Sequence, residues 1–352
     1  MVRRLSGRGG MERVIQTVSD AARRATPPVS VEVWCFGIPM DDRWLRDLPH
    51  RIVDIDQGTG RRFQLGTKLP CYTRAARRFM RAAKVDTCLA TDPVFVRAAL
   101  LARGRHPEPR VFSWLHFAPD RMANRAWLRS ADGHLAISTQ IADAIRALGA
   151  VHEPVTVGNP LPASDFRLIP RPDGPARILY IGRLQNHQKR VDLLMAALAG
   201  FSDEDFVCDI MGDGPDRPLL EQMAEEAGIS DRVVWHGWVA EPWSQVEGAT
   251  VLVLPSDFEG FPMVLLEALA HGIPVVATDC NAGPRDVVVP GRNGFLIPTG
   301  DAAALREALR PFLGRGQASF PLLWSRRERQ DDVLRRFSEP VVWARMADAL
   351  AR

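Results

Sequence analysis

Val251-Leu-Val-Leu-Pro255 runs directly into Ser256-Asp-Phe-Glu259-Gly-Phe-Pro262-Met-Val-Leu-Leu-Glu267. The first five residues are an apolar run of the kind that forms a buried parallel strand. Met263, Leu265, Leu266 and Leu269 then recur at helical spacing, Gly272 stops the helix, and Pro274-Val275-Val276 opens another strand. Glu259 therefore falls in a strand-to-helix loop, where open α/β sheets bind ligands beyond the carboxyl ends of their strands. Pro262 suits the first helical turn, where its missing N–H costs nothing. Glu267 is expected five residues into the helix, roughly 7.5 Å along its axis. Two carboxylates so spaced, with free helix N–H groups between them, can hold a sugar, an anion and a ribose in a row. The plainer reading is two solvated surface charges on a Rossmann-type loop.

Working outward, Arg177-Ile-Leu-Tyr-Ile-Gly182 starts the alternation to which this stretch belongs. Strands are expected at Phe206–Met211, Arg232–His236, Val251–Pro255, Pro274–Thr278 and Gly294–Ile297, with helices near 190–199, 216–227, 262–271 and 302–313. Gly182-Arg183-Leu-Gln-Asn-His-Gln-Lys189 follows the first strand, with Arg183 at its carboxyl end and Lys189 where the next helix begins. Two fixed cations there suit phosphate oxygens, Arg offering a planar fork and Lys a point charge. Gly212-Asp213-Gly214-Pro215 lacks the third glycine of a dinucleotide fingerprint and the G-K-[ST] of a P-loop, so it reads as a structural turn.

The earlier half alternates too: strands over 29–36, 51–55, 87–90, 110–115 and 133–137, helices over 70–84, 93–103, 121–130 and 139–148 and a helical 41–47. Its beginning is anomalous. Gly7, Gly9 and Gly10 run into a helical pattern with Val14, Ile15 and Val18 on one side, yet Met1-Val-Arg-Arg-Leu-Ser6 makes a poor strand. Either the true start lies upstream, or the N-terminal sheet lacks its first strand. Five prolines within 159–176 mark an interdomain linker. The expected division is an N-terminal domain over 1–160, a linker over 161–176, a C-terminal domain over 177–329 and a final helix over 330–352.

The E-x7-E pair with its Gly-Phe-Pro insert resembles the signature of retaining, nucleotide-sugar-dependent glycosyltransferases of the GT-B fold, family four. The extended string from Glu259 to Pro274, then Asp279-Cys-Asn-Ala-Gly-Pro-Arg285-Asp286, is similar to the branch that holds the lipopolysaccharide 1,6-galactosyltransferases. The resemblance implies two Rossmann-like domains with a cleft between them, the rear one binding the nucleotide sugar. It implies that Arg183 and Lys189 clamp the diphosphate, Glu259 contacts the donor sugar and Glu267 holds the ribose hydroxyls. Backbone from Gly260 through Phe261, Pro262, Met263 and Val264 would face the phosphates, and Trp238 and Val239 would border the base. Trp238 either stacks on that base or packs in the core. Gly9-Gly10 matches the family's N-terminal glycine loop, and His116 its histidine near the sugar's primary hydroxyl; the plainer reading of His116 is a satisfied strand-end histidine. Arg285 either faces the phosphates or pairs with Asp286. The final helix would cross back to the N-terminal domain.

The implied activity is transfer of a hexose, galactose favoured, from a UDP-sugar to a lipopolysaccharide or other glycan or glycolipid acceptor, with retention and without a cofactor. Histidines show no ligand spacing and the five cysteines form no C-x-x-C pair, so no metal site and a reducing, cytoplasmic setting are expected. A net charge of +3 is too small to argue for nucleic acid. Basic residues do concentrate between 61 and 84, where Arg74, Arg77, Arg78 and Arg81 share one helical stripe. That stripe is a solvated face or a contact with anionic membrane at its inner surface. Two other functions stay open: a nucleotide-sugar epimerase of the same architecture, and a truncated homologue that binds UDP-sugar without turning it over. A NAD-dependent dehydrogenase is disfavoured because neither half carries G-x-G-x-x-G after a strand.

Overall fold

The computed structural model describes residues 1–3, 5, 9–54, 68–201, 204–313 and 322–352. Gly7, Arg61 and Arg62, on which sequence expectations fall, lie outside them. The chain divides into two units, Met1–Ala163 with Phe337–Arg352, and Ser164–Arg336.

The first unit contains β1 (Val2–Arg3), α1 (Gly10–Arg24), β2 (Val33–Phe36), β3 (His50–Val53), α2 (Leu69–Ala83), β4 (Thr87–Ala90), α3 (Pro93–Arg103), β5 (Arg110–Leu115), β6 (Gly133–Ala136), α4 (Thr139–Ala147) and β7 (Val155–Thr156). Parallel pairing gives the orders β1-β2-β3 and β4-β5-β6-β7. The expected loss of the first strand is corrected here. Val2 and Arg3 pair with Cys35 and Phe36, and on the other side the Met1 amino group donates to Leu89 O at 2.6 Å while Thr91 N–H donates to Met1 O. Two residues suffice because both flanking strands supply hydrogen bonds and Met1 and Val2 are buried. Arg3 adds an ion pair with Asp92, the residue whose carboxylate caps α3. Phe36 stacks on Phe95 at 5.0 Å and Tyr72 meets both rings edge-on, which ties β2, α2 and α3 together.

Two expected helices are only 3-10 turns. Residues 41–47 give Arg43–Leu45, and 121–130 gives Pro119–Arg121 and Arg125–Ser130, separated at left-handed Asn124.

The second unit contains β8 (Ala176–Ile181), α5 (Asn186–Lys189), α6 (Val191–Leu198), β9 (Phe206–Met211), α7 (Arg217–Glu226), β10 (Val233–Gly237), α8 (Pro242–Gln245), β11 (Val251–Leu254), α9 (Met263–Ala270), β12 (Val275–Thr278), α10 (Pro284–Val287), β13 (Gly294–Ile297), α11 (Ala302–Leu313) and α12 (Arg326–Phe337). Its six strands are parallel in the order β10-β9-β8-β11-β12-β13. Every residue of β11 and β12 is buried, as their unbroken apolar runs require. Sequence order reverses between neighbours β8 and β11, so the connections that leave their carboxyl ends part in opposite directions. Open α/β sheets bind ligands at such a switch point.

The stretch read as one terminal helix is two: α12 ends at Phe337, Ser338 is extended, and α13 (Glu339–Ala351) follows. Pro340 explains the break, since proline fits a first turn but not a helix interior. In the first unit α13 is held by the Arg24–Glu339 ion pair and by Arg110, whose guanidinium donates to Leu350 O at 2.8 Å.

Candidate active site

The loop leaving β8 is fixed from beneath. Gly182 N–H donates to Met211 O, Leu184 N–H to Asp213 O and Asn186 N–H to the Asp216 carboxylate at 2.6 Å. Tyr180, buried in the sheet, donates its hydroxyl to Arg183 O at 2.9 Å. Gly212 and Gly214 are needed for close approach: a Cβ at Gly212 would stand 1.8 Å from Gly182 O, and one at Gly214 2.2 Å from Leu184 O. The Gly212–Pro215 turn is therefore the floor under the Arg183 loop, in keeping with its structural reading.

The loop leaving β11 is strapped to the first. Asp257 N–H donates to Gln188 O at 2.8 Å, the Gln188 amide donates to Phe258 O, and Arg190 spans to Asp257 and Asp192. Lys189 Nζ then donates to Glu259 Oε1 at 2.6 Å, and Ser256 Oγ donates to the same oxygen at 2.7 Å. Thr278 on β12 donates to Ser256 O and so holds the hydroxyl's own backbone. Glu259 is only 7% exposed, whereas Arg183 is exposed and has no ion-pair partner among the described residues. One free cation and one cation–carboxylate pair thus flank the switch point.

Pro262 caps α9 rather than entering it; Met263 is the first helical residue. Gly260, Phe261 and Pro262 are buried, and Gly283 packs on them so closely that a Cβ would meet Pro262 Cδ at 2.6 Å. Met263 and Val264 form the first turn of α9, whose early N–H groups have no partner within the helix. Glu267 lies five residues in, 8% exposed, and accepts from Trp243 Nε1 at 2.8 Å. Of the two partners expected for Arg285, Asp286 is not the one: the guanidinium engages both oxygens of Asp279 instead. Trp238 is 55% exposed, so it is not a core residue, and Val239 is half-buried beside it. Burial pushes the Cys280 thiol up to about 12, with the Glu259 charge adding to the effect.

His116, Gly9 and Gly10 belong to the first unit. His116 follows β5, its ring 4.6 Å from that of Trp114, and its buried Nε2 has no partner among the described residues. It is thus not the satisfied histidine of the plainer reading, and burial lowers its pKa to about 3. Gly9 is the N-cap of α1 and Gly10 its first residue; the Glu12 carboxylate folds back so near Gly9 that a Cβ there would stand 2.7 Å from it. No group of three or more potential metal ligands occurs among the described residues.

Sequence reasoning missed Tyr180, Ser256, Thr278 and Trp243. The first three are hydroxyls at the ends of buried apolar strands, where a polar group needs a partner. Trp243 carries no comparable signal.

Residues 164–319 match the model of the family described as glycosyl transferases group 1. The chain is 35% identical over 314 residues to a lipopolysaccharide 1,6-galactosyltransferase of Salmonella typhimurium, covering 84% of each chain. It is 32% identical over 320 residues to the protein of that name from Escherichia coli, covering 88% of this chain and 87% of the other. Among solved structures, the apo form of the lipopolysaccharide outer core galactosyltransferase WaaB superposes with a TM-score of 0.85 at 30% identity over 99% of both chains. The chain therefore belongs to the group 1 glycosyl transferases, has their GT-B fold, and falls in the lipopolysaccharide 1,6-galactosyltransferase branch.

Proposed function

We propose that this glycosyltransferase moves galactose from UDP-galactose to a lipopolysaccharide-type or other glycolipid acceptor, with retention at the anomeric carbon and without a metal ion. The observation that carries the reading is the 2.6 Å Lys189–Glu259 contact at the switch point of the second unit, with Arg183 beside it. The relatives' printed names supply the sugar and the acceptor class.

In this reading Arg183 and Lys189 neutralise the charge that grows on the departing UDP, the part a divalent ion plays elsewhere. Backbone N–H groups from Gly260 to Val264 share the phosphates at the head of α9. Glu259, held by Lys189 and Ser256, accepts from sugar hydroxyls near the reacting carbon, and Glu267 accepts from the ribose. Arg285 is a secondary phosphate contact that would first have to leave Asp279. Trp238 and Val239 border the uracil, while Gly9, Gly10 and His116 serve the sugar end. None of these side chains is a free strong base: Glu259 is engaged at one oxygen, and burial makes His116 a weak base, its pKa lowered to about 3. Retention follows if the leaving phosphate takes the acceptor's proton on the face it departs from. Residues 1–160 would then supply the acceptor side and 177–329 the donor side.

Work at the cytoplasmic face of a membrane fits an acceptor anchored in lipid. Among the described residues no helix is long and apolar enough to cross a membrane. Arg74, Arg78, Arg81 and Lys84 are exposed on or just after α2, whereas Arg77 donates to the last carbonyls of α3. The test is a screen of UDP- and GDP-sugars with and without a lipopolysaccharide acceptor. UDP-galactose consumed only with acceptor supports the proposal; donor turnover without acceptor identifies an epimerase.

A further inference from the structure

Helix α9 reads Met-Val-Leu-Leu-Glu-Ala-Leu-Ala, and Glu267 is its single charged residue, buried to all but 8%. A carboxylate in such a place is orientated by whatever donates to it, and here the indole Nε1–H of Trp243 does so at 2.8 Å. An indole N–H is a donor only, on a rigid ring, so it fixes direction more firmly than a rotatable hydroxyl.

The ring is itself held. It lies against His271, centroids 4.9 Å apart and 32° from parallel. His271 stands four residues after Glu267, on the same helix face, and its Nδ1 is 2.8 Å from Arg167 O, with Phe166 packed edge-on at 5.3 Å. Trp243 comes from α8, a few residues beyond Trp238 and Val239 in the connection from β10 to β11. One hydrogen bond therefore ties the loop placed beside the base to the helix placed beside the ribose.

We propose that Trp243 is a positioning residue: it aims the Glu267 carboxylate at the ribose hydroxyls and sets the spacing between the base-side loop and α9. This rests on the donor-site reading above. Trp243→Phe keeps a six-membered aromatic ring to lie against His271 and removes the N–H together with the rest of the fused ring.

The experiment measures binding of UDP and of 2′,3′-dideoxy-UDP to the wild type, Trp243→Phe, Glu267→Ala and the double variant. Trp243→Phe is expected to weaken UDP by about tenfold, to leave dideoxy-UDP nearly unaffected, and to raise KM for UDP-galactose more than it lowers kcat. Adding it to Glu267→Ala is expected to cost little more, because the two residues act through one contact. Equal weakening of both nucleotides by Trp243→Phe, with the wild-type preference kept, identifies a mere buttress and overturns the proposal. If the wild type itself binds both nucleotides alike and Glu267→Ala binds UDP normally, the ribose assignment has failed instead. Should Trp243→Phe lose its cooperative thermal transition, Trp243→Leu, which also lacks the N–H, is read on the same two nucleotides: weakening confined to UDP supports the proposal, and equal weakening of both overturns it.

Discussion

Lys189 Nζ and Glu259 Oε1 lie 2.6 Å apart although seventy positions separate them in the chain. Their loops leave β8 and β11, the neighbours between which sheet order reverses. Topology brings the cation and the carboxylate together, and Ser256 and the Gln188–Phe258 bond hold them there.

Removing Lys189 leaves the buried Glu259 carboxylate without its cation and, on the proposed reading, takes away a phosphate contact. Lys189→Ala is expected to lower kcat/KM by ~10²-fold or more, and to cost on the order of 2–4 kcal/mol of stability. Steady-state kinetics and denaturant titration check both, and a loss of tenfold or less in kcat/KM argues against the clamp.

Gly212 tests whether the floor beneath Arg183 shapes donor binding. A Cβ there collides with backbone, whereas one at Gly228 meets nothing within 4 Å and carries only the strain of its positive φ. Gly212→Ala is expected to weaken UDP binding well beyond Gly228→Ala, whose cost should stay near ~1 kcal/mol of stability. Calorimetric titration of UDP into both variants decides this.

His116 makes acid stability measurable. Burial holds its imidazole at about 3, below the ordinary 6.5, so the unfolded chain takes up the proton first. Its contribution is complete above pH 6.5 and is lost as pH falls toward 3, by roughly 1.4 kcal/mol per pH unit. His134, held at about 4 by burial and by His152, acts in the same sense. His116→Gln should flatten the dependence of unfolding free energy on pH below 6.5; an unchanged slope contradicts the burial argument.

Membrane contact through α2 has a narrow prediction. Replacing Arg74, Arg78 and Arg81 by Gln, while keeping Arg77 for its bonds to α3, should reduce co-sedimentation with anionic vesicles and blunt its salt dependence. Unchanged sedimentation disposes of the contact.

Periodicity made the second unit legible. Phe206–Met211 and helix 302–313 fall where apolar spacing puts them, because each is long enough to show its period. The two-residue β1 was illegible because neighbours, not its own side chains, make it a strand. The break at Ser338 was hidden by apolar spacing that continues on either side of Pro340. In the site, residue types at fixed spacing pointed to Arg183, Lys189, Glu259 and Glu267. That Lys189 meets Glu259, that Arg285 turns to Asp279, and that Trp243 reaches Glu267 depend on contacts between elements distant in sequence.

On the proposed reading, the loops after β8 and β11 and the head of α9 together receive one pyrophosphate-bridged molecule. Amide hydrogen exchange with and without saturating UDP-galactose tests it most directly. Simultaneous protection over 182–190 and 256–267 is expected, lost together in Lys189→Ala. Protection of only one of these segments, or of neither despite measurable binding, would contradict it.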